Sequence, residues 1–256
     1  MKKLFIAIVS LSLLATGCKG EGKTSNATNQ ESNQSEVKNQ EMSDTKSTGD
    51  DAICLLDKLS VRETPTAKGK WVTSMSLGEK VAYTGEQHTD SITKKDYVKV
   101  RLIDGKEGWA RAPFIAVNGK VAVMLENTNT YKRPDLLTKT NNKYSPMDII
   151  AVMSTQDDWI QVKGKRGEGR YIEEAWVKSS NISEKQIDIA VAKFAGLAMS
   201  KETMTERIKA LEEIVNNADF SSSTFIDVLK TKIEDYKSKN KEVDAKDAVE
   251  AVEEAQ

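Results

Sequence analysis

The sequence is poor in the side chains on which most hydrolases depend. It contains one histidine, His88, and two cysteines, Cys18 and Cys54. A cysteine nucleophile needs a histidine base beside it, and a metal site needs several histidine or acidic ligands. The lone histidine lies in the polar segment GEQHTDSITKKD, which is typical of a surface position. We therefore expect no enzyme activity, no catalytic residues, no metal site and no cofactor.

An excess of positive charge is also absent. Thirty-eight lysines and arginines are balanced by 39 aspartates and glutamates, which gives a formal net charge of −1. Proteins that bind nucleic acid usually carry a strong basic excess, because they neutralise phosphates. The composition therefore excludes nucleic acid as the expected partner.

The only long apolar run, residues 4–14, is about half as long as the ~20 residues that cross a bilayer. Two lysines precede the run and small residues follow it, which predicts an export signal at 1–17. The segment LLATGC resembles the lipobox of bacterial lipoproteins. The resemblance implies that Cys18 receives a lipid and holds the chain on a membrane of the cell envelope, on its periplasmic face or at the cell surface. An ordinary cleaved secretory signal that happens to contain a cysteine is the alternative.

Residues 18–51 have few apolar side chains and are rich in Asn, Gln, Ser, Thr, Glu and Lys. Such a segment buries too little surface to offset its loss of conformational entropy on ordering. We therefore expect a disordered linker behind the lipidated N-terminus. Cys54 follows among isoleucine and leucine residues, and a lipidated Cys18 cannot pair with it, which predicts a buried free thiol.

Residues 52–183 contain two diverged copies of one pattern. Each copy opens on an arginine near a proline (VRETP and YKRPD), continues through D-aromatic-x-x-V and closes on a tryptophan. Apolar residues alternate with polar ones, as at Val98, Val100 and Leu102, and DG supplies a hairpin turn. Short strands joined by turns predict two small β-barrels, at 52–118 and 119–183.

The first copy resembles the bacterial SH3 domain (SH3b) in VRETP, SLGEKV, DYVKVRL and GWA, in that order. The second copy is more divergent, since Ala175 and Trp176 replace the Gly-Trp pair. The resemblance implies two SH3-like barrels that bind cell-wall peptides, such as those of peptidoglycan, or envelope proteins. It does not imply that the divergent copy shares the ligand of the first.

From residue 184 the apolar residues recur with a helical period. Serines at 183, 200 and 222 or 223 are candidate N-caps for three helices, which predicts a helical domain at 184–240. The remaining residues, 241–256, form an acidic tail or a frayed helix. The predicted fold class is thus β + α multidomain: a disordered tether, two SH3-like barrels and a C-terminal helical bundle.

Four tryptophans are candidates for a binding groove. We assign Trp109, Trp159 and Trp176 to the cores of the small barrels. Trp71 follows the polar segment TAKGK and is predicted to lie exposed in a loop. Tyr83 is predicted to lie outside the inward-facing positions of its strand, and these two aromatic residues are the predicted ligand-binding residues.

A run of basic residues at 163–170 is either an anion site or a solvated hairpin tip, and the second is the more common. Taken together, the sequence predicts a non-catalytic, lipid-anchored protein of the bacterial envelope that binds cell-wall peptides or protein partners. The alternative is a surface-exposed lipoprotein that binds host or matrix molecules.

Overall fold

A computed structural model describes residues 50–167 and 169–253, with side chains up to residue 239. The predicted signal peptide, Cys18 and nearly all of the predicted linker lie outside the described residues. The described part contains two antiparallel seven-stranded sheets and three α-helices. Among these residues, no helix combines the length and apolar character that a membrane span requires.

The first sheet has the strand order β3-β2-β6-β5-β4-β1-β7. Its strands are β1 Asp50–Cys54, β2 Leu59–Arg62, β3 Trp71–Met75, β4 Lys80–Thr89, β5 Asp96–Arg101, β6 Glu107–Arg111 and β7 Ile115–Val117. The alternation predicted for β5 is confirmed, since Val98 and Val100 are buried and Lys99 between them is partly exposed. The DG turn follows, with Gly105 at a φ of 82°, a conformation that glycine adopts without steric cost.

The second sheet repeats this order strand for strand, as β10-β9-β13-β12-β11-β8-β14. Its strands are β8 Lys120–Met124, β9 Thr128–Tyr131, β10 Lys139–Tyr144, β11 Ile149–Gln156, β12 Trp159–Lys165, β13 Ile172–Lys178 and β14 Ile182–Ser183. Asn118, at a φ of 60°, and Gly119 form the turn between the two sheets.

The turn before β4 recurs before β11 with the same hydrogen bond. The Glu79 carboxylate accepts from the Ser76 N–H at 2.8 Å, and the Asp148 carboxylate accepts from the Ser145 N–H at the same distance. The third position of each turn has a positive φ, 75° at Gly78 and 69° at Met147. The two sheets therefore share local turn geometry as well as strand order.

The three helices follow β14 as α1 Gln186–Met199, α2 Met204–Val215 and α3 Ile226–Glu253. The predicted caps at 183 and 200 are wrong. Residue 185 precedes α1 without a side-chain cap, and Thr203 caps α2 in a capping box with Glu206. The Ser183 hydroxyl instead donates a hydrogen bond to the carboxylate of Asp188, in the first turn of α1. Helix α3 continues through the segment predicted as an acidic tail.

One apolar core joins the helices to both sheets. Ile53 and Leu55 from the first sheet, Val123 from the second, and Leu211 and Leu229 from the helices are all buried in it. Each sheet also has a core of its own on its other buried side. Because the helices cover residues of both sheets, the three parts of the described chain stabilise one another.

Candidate ligand-binding site

A row of four side chains crosses the outer face of the first sheet. The register places Trp71 of β3 opposite Arg62 of β2, Arg62 opposite Trp109 of β6, and Trp109 opposite Lys99 of β5. Side chains that face each other across antiparallel strands lie on the same side of the sheet. We call these four residues the aromatic row. It alternates two indoles with two cationic side chains.

The residues on either side of Trp109 explain why it faces outward. Gly108 and Ala110 are buried and face Val100 and Val98 across the sheet. A Cβ atom on Gly108 would lie 2.6 Å from a methyl carbon of Val61, so this inward position has room only for hydrogen. Since neighbouring side chains of a strand point to opposite faces, Trp109 is directed outward and is partly exposed.

Trp71 is the most exposed member of the row. It is the first residue of β3 rather than part of the preceding loop, and 58% of it is exposed, which confirms its predicted exposure. Its indole N–H donates to the Ser74 hydroxyl at 3.2 Å. This bond fixes the orientation of the ring, so a ligand that stacks on it meets a surface already in place.

A groove of about 280 Å³ lies beside the row. Its polar and aromatic lining comes from Lys58, Ser60, Arg62, Tyr97 and Arg111. Tyr97 is buried at the base, with the Arg111 guanidinium 5.7 Å from its ring centre. Arg111 Nε is buried and has no hydrogen-bond partner among the described residues. The terminal amino groups of the same guanidinium are further donors, which can meet a carbonyl or carboxylate oxygen of a ligand.

Arg62 connects the groove to the aromatic row. Its guanidinium donates to the Gly69 carbonyl at 2.7 Å, which holds it against the loop before β3. That loop is closely packed, because a Cβ atom on Gly69 would lie 2.5 Å from the Thr64 hydroxyl oxygen. The arginine is therefore held in one position, with further donors left for a ligand.

Lys99 forms ion pairs with two acidic neighbours. Its ammonium lies 2.7 Å from Glu86 and 3.6 Å from Glu107. The hydrogen bond to Glu86 raises the pKa of Lys99 above its usual value. The cationic groups available to a ligand beside the row are accordingly Arg62, Arg111 and the exposed Lys58, which all line the groove.

The second predicted ligand-binding residue, Tyr83, is buried, and the prediction that it is exposed is wrong. Only 9% of it is accessible, within the core of the first sheet. The register explains the error, because Tyr83 lies directly opposite Val100, which faces inward. Two residues paired in this way share a face, so Tyr83 belongs to the core.

The core assignment of the other tryptophans is correct for Trp159 only. Trp159 is buried, whereas Trp109 and Trp176 are partly exposed. Sequence reasoning also missed Arg62 and Arg111 as components of the site. Arg62 stands in VRETP, a segment that carries the SH3b resemblance, and Arg111 directly follows another such segment, GWA.

The other two candidates for chemistry, Cys54 and His88, differ in exposure: the thiol is buried and the imidazole is exposed. Cys54 is a buried free thiol, as predicted, and burial raises its pKa to about 11. His88 is exposed, as expected, with its ring centre 6.2 Å from that of Trp109 in an edge-to-face arrangement. A thiol with a raised pKa is a poor nucleophile near neutral pH.

The second sheet has different residue types at the four positions equivalent to the aromatic row. Lys139, Tyr131, Trp176 and Gln161 occur where the first sheet has Trp71, Arg62, Trp109 and Lys99. The Tyr131 ring packs against Trp159 edge to face, 4.8 Å between centres, and the Lys178 ammonium lies 3.9 Å from the Trp159 ring centre. The exposed indole and the arginine groove thus belong to the first sheet.

Comparison with known proteins agrees with this division. Residues 57–116 match the bacterial SH3 domain family, and this segment is a bacterial SH3 domain. A search of curated proteins gives no match.

Among solved structures, the chain is similar to NlpC1 and NlpC2 from Trichomonas vaginalis, at 14% and 11% sequence identity. The alignments cover 62% and 60% of this chain, with TM-scores of 0.23 in both cases. They cover 55% of NlpC1 and 56% of NlpC2, so this chain spans little more than half the length of each.

Proposed function

We propose that this chain is a non-catalytic, lipid-anchored protein of the bacterial envelope whose SH3b domain binds cell-wall peptides. The observation that carries the proposal is the pairing of the exposed Trp71 indole with the groove of Arg62 and Arg111 on one face of that domain. Bacterial SH3 domains commonly bind cell-wall components, which agrees with this chemistry.

The geometry suits a peptide that carries a free carboxylate. A guanidinium group binds a carboxylate through two parallel hydrogen bonds, and the groove is lined by two guanidinium groups, those of Arg62 and the partly exposed Arg111. An indole face offers a large apolar surface to a neighbouring side chain or sugar ring at little entropic cost. We assign the carboxylate to the groove and the adjacent ligand group to Trp71.

We assign the second sheet to a divergent SH3b-like barrel, which makes the chain a tandem of two such modules. Three features support this assignment: the shared strand order, the matching turns before β4 and β11, and the single pairs Arg62–Trp109 and Tyr131–Trp176 at the same place in each sheet. Because Tyr131 covers the ring of Trp159, this second module has a structural role in the proposal and the first binds the wall.

Anchoring through Cys18 would keep the SH3b domain close to the membrane-facing side of the wall. The support is the apolar run followed by LLATGC, after which a polar linker leads to β1. Two or three acyl chains hold a folded domain on a bilayer, whereas a single chain gives marginal binding.

The decisive experiment measures binding of the purified chain to insoluble peptidoglycan by sedimentation. Trp71→Ala should weaken binding by on the order of thirtyfold, as expected for loss of an aromatic anchor. Arg111→Gln should weaken it comparably if the groove receives a carboxylate. Neither change should lower the melting temperature much, since Trp71 is mostly exposed and glutamine keeps part of the packing of Arg111.

Lys139→Ala is the matched control, because Lys139 occupies the position of Trp71 in the second sheet. It should bind peptidoglycan like the wild type. Absence of binding by the wild type, or equal losses for Lys139→Ala and Trp71→Ala, would show that the aromatic row is not a wall-binding surface.

A further inference from the structure

The loop between β9 and β10, residues 132–138, presents two adjacent leucines to solvent. Leu137 is 93% exposed and Leu136 is 63% exposed. The corresponding loop of the first sheet, residues 63–70, contains no leucine, isoleucine, valine or aromatic residue. The shared strand order therefore does not require the leucines, and they are a property of the second sheet alone.

Hydrogen bonds inside the loop hold the leucines in place. The Asp135 carboxylate accepts from the Leu137 N–H at 2.9 Å and caps the short 3-10 turn Leu136–Thr138. The Thr138 hydroxyl accepts from the Arg133 N–H at 3.2 Å and donates to the Asp135 carbonyl at 2.8 Å. A loop fixed in this way has little conformational entropy left to lose when its leucines enter an apolar phase.

Cationic residues flank the two leucines along the chain. Lys132, Arg133 and Lys139 are exposed, and Asp135 is the only acidic residue between them. No ion pair joins any of these three cations to an acidic group within the described part of the chain. Exposed apolar side chains flanked by cations match the layered chemistry of an anionic bilayer, where charged headgroups lie above hydrocarbon.

We propose that residues 132–139 form a membrane-contact loop. Leu136 and Leu137 insert between the lipids of an anionic bilayer, while the three cations contact lipid phosphates. A protein partner would need a shaped pocket for a protruding pair of leucines, whereas hydrocarbon accepts them in any orientation. The three flanking cations complement an anionic surface. This contact is separate from the lipid on Cys18 and from the aromatic row.

The test uses residues 18–256 with Cys18→Ser, so that neither the apolar leader nor an attached lipid contributes to binding. Sedimentation with vesicles of phosphatidylglycerol and phosphatidylcholine in equal parts should give binding that weakens as salt is added. Leu136→Ser with Leu137→Ser should reduce the affinity by at least about tenfold. Lys132→Gln with Arg133→Gln should reduce it by on the order of tenfold, and only on vesicles that contain phosphatidylglycerol.

Ile92→Ser with Ile103→Ser is the matched control, because these isoleucines are also exposed but lie in hairpin turns of the first sheet. This variant should bind vesicles like the parent chain. All variants should keep the parent melting temperature, since every substituted side chain is exposed.

Three results would overturn the proposal: no vesicle binding by the parent chain, equal losses for the isoleucine and leucine variants, or loss of peptidoglycan binding by the leucine variant with vesicle binding intact. The last result would identify the loop as a second wall contact.

Discussion

Ser223 donates a hydrogen bond of 2.8 Å to the buried carboxylate of Asp188, which ties the segment before α3 to the first turn of α1. The same carboxylate accepts from the Ser183 hydroxyl at 2.7 Å and from the Thr224 N–H at 2.8 Å. Burial alone would raise the pKa of Asp188, but these hydrogen bonds outweigh it and hold the pKa below its usual value. One side chain thus connects β14, α1 and α3.

We predict that Asp188→Asn lowers the free energy of unfolding by on the order of 3 kcal/mol, because the new amide N–H₂ faces hydrogen-bond donors in a buried position. Urea denaturation followed by circular dichroism measures the change. Asp219→Asn, in the exposed turn before α3, should leave the midpoint unchanged. Equal midpoints for the two variants would contradict the role assigned to Asp188.

The contribution of Asp188 should also depend on pH. Since its pKa is lower in the folded state, its stabilisation is fully present above the unfolded pKa of about 4 and is lost as pH falls through the folded pKa. The difference in unfolding free energy between wild type and Asp188→Asn should therefore be constant from about pH 7 to about pH 5 and shrink below about pH 4. A difference that grows on acidification would show that the folded pKa is raised instead.

Two glycine substitutions should have opposite effects on stability. Gly108→Ala places a methyl group 2.6 Å from the Val61 side chain and 2.8 Å from the Arg62 carbonyl oxygen, and should cost on the order of 2 kcal/mol. Gly196→Ala lies within α1 with nothing inside 4 Å of the added carbon, and should stabilise the chain by about 0.5–1 kcal/mol. Thermal unfolding checks both, and a stabilising Gly108→Ala would refute the inward orientation of that position.

The thiol of Cys54 should react only when the chain unfolds. Burial raises its pKa to about 11, so the thiolate is scarce near neutral pH and the sulfur is inaccessible. Maleimide labelling of a Cys18→Ser variant should be slow in buffer and fast in denaturant. Lys68→Cys on the same background puts a thiol in an exposed loop and should react at once in the folded chain. Rapid labelling of Cys54 under native conditions would contradict its burial.

Cys18→Ser should abolish membrane association that depends on a covalent lipid. Wild-type protein made in bacteria should partition into the detergent phase, and its N-terminal peptide should carry acyl mass; the variant should lack both properties. Wild-type protein that partitions into the aqueous phase without acyl mass would rule out the anchor.

The aromatic row shows where sequence reasoning reaches its limit. The inward positions of β5 follow from the alternation of valine with charged residues, and this was predictable. The outward position of Trp109 was not predicted, because tryptophan was assigned to the core by its hydrophobicity. The small neighbours Gly108 and Ala110 decide the orientation, since they fill the inward sites that face Val61 and Val98.

The groove depends on neighbours that are distant in sequence. Strands β3, β4 and β5 lie between Arg62 and Arg111 in the sequence. The two arginines come together because β2 and β6 are neighbours in the sheet. The Ser183 hydroxyl was predicted as a helix cap by local pattern, but Asp188 lies within its reach and competes for it. Local patterns predicted the strands, the helices and the inward face of β5, whereas contacts between remote segments required the folded chain.

The position of strand β1 limits where a fragment that contains the first sheet can begin. The family match begins at residue 57, yet β1 at Asp50–Cys54 lies between β4 and β7 and, among the described strands, is the only one that pairs with β7. A fragment cut at the match would leave β7 detached and one edge of β4 unpaired, and unpaired edges promote aggregation. A breakpoint that keeps the first sheet intact must therefore fall upstream of Asp50. The transplanted segment must also retain a cover for Ile53 and Leu55, which pack in one core with the helices.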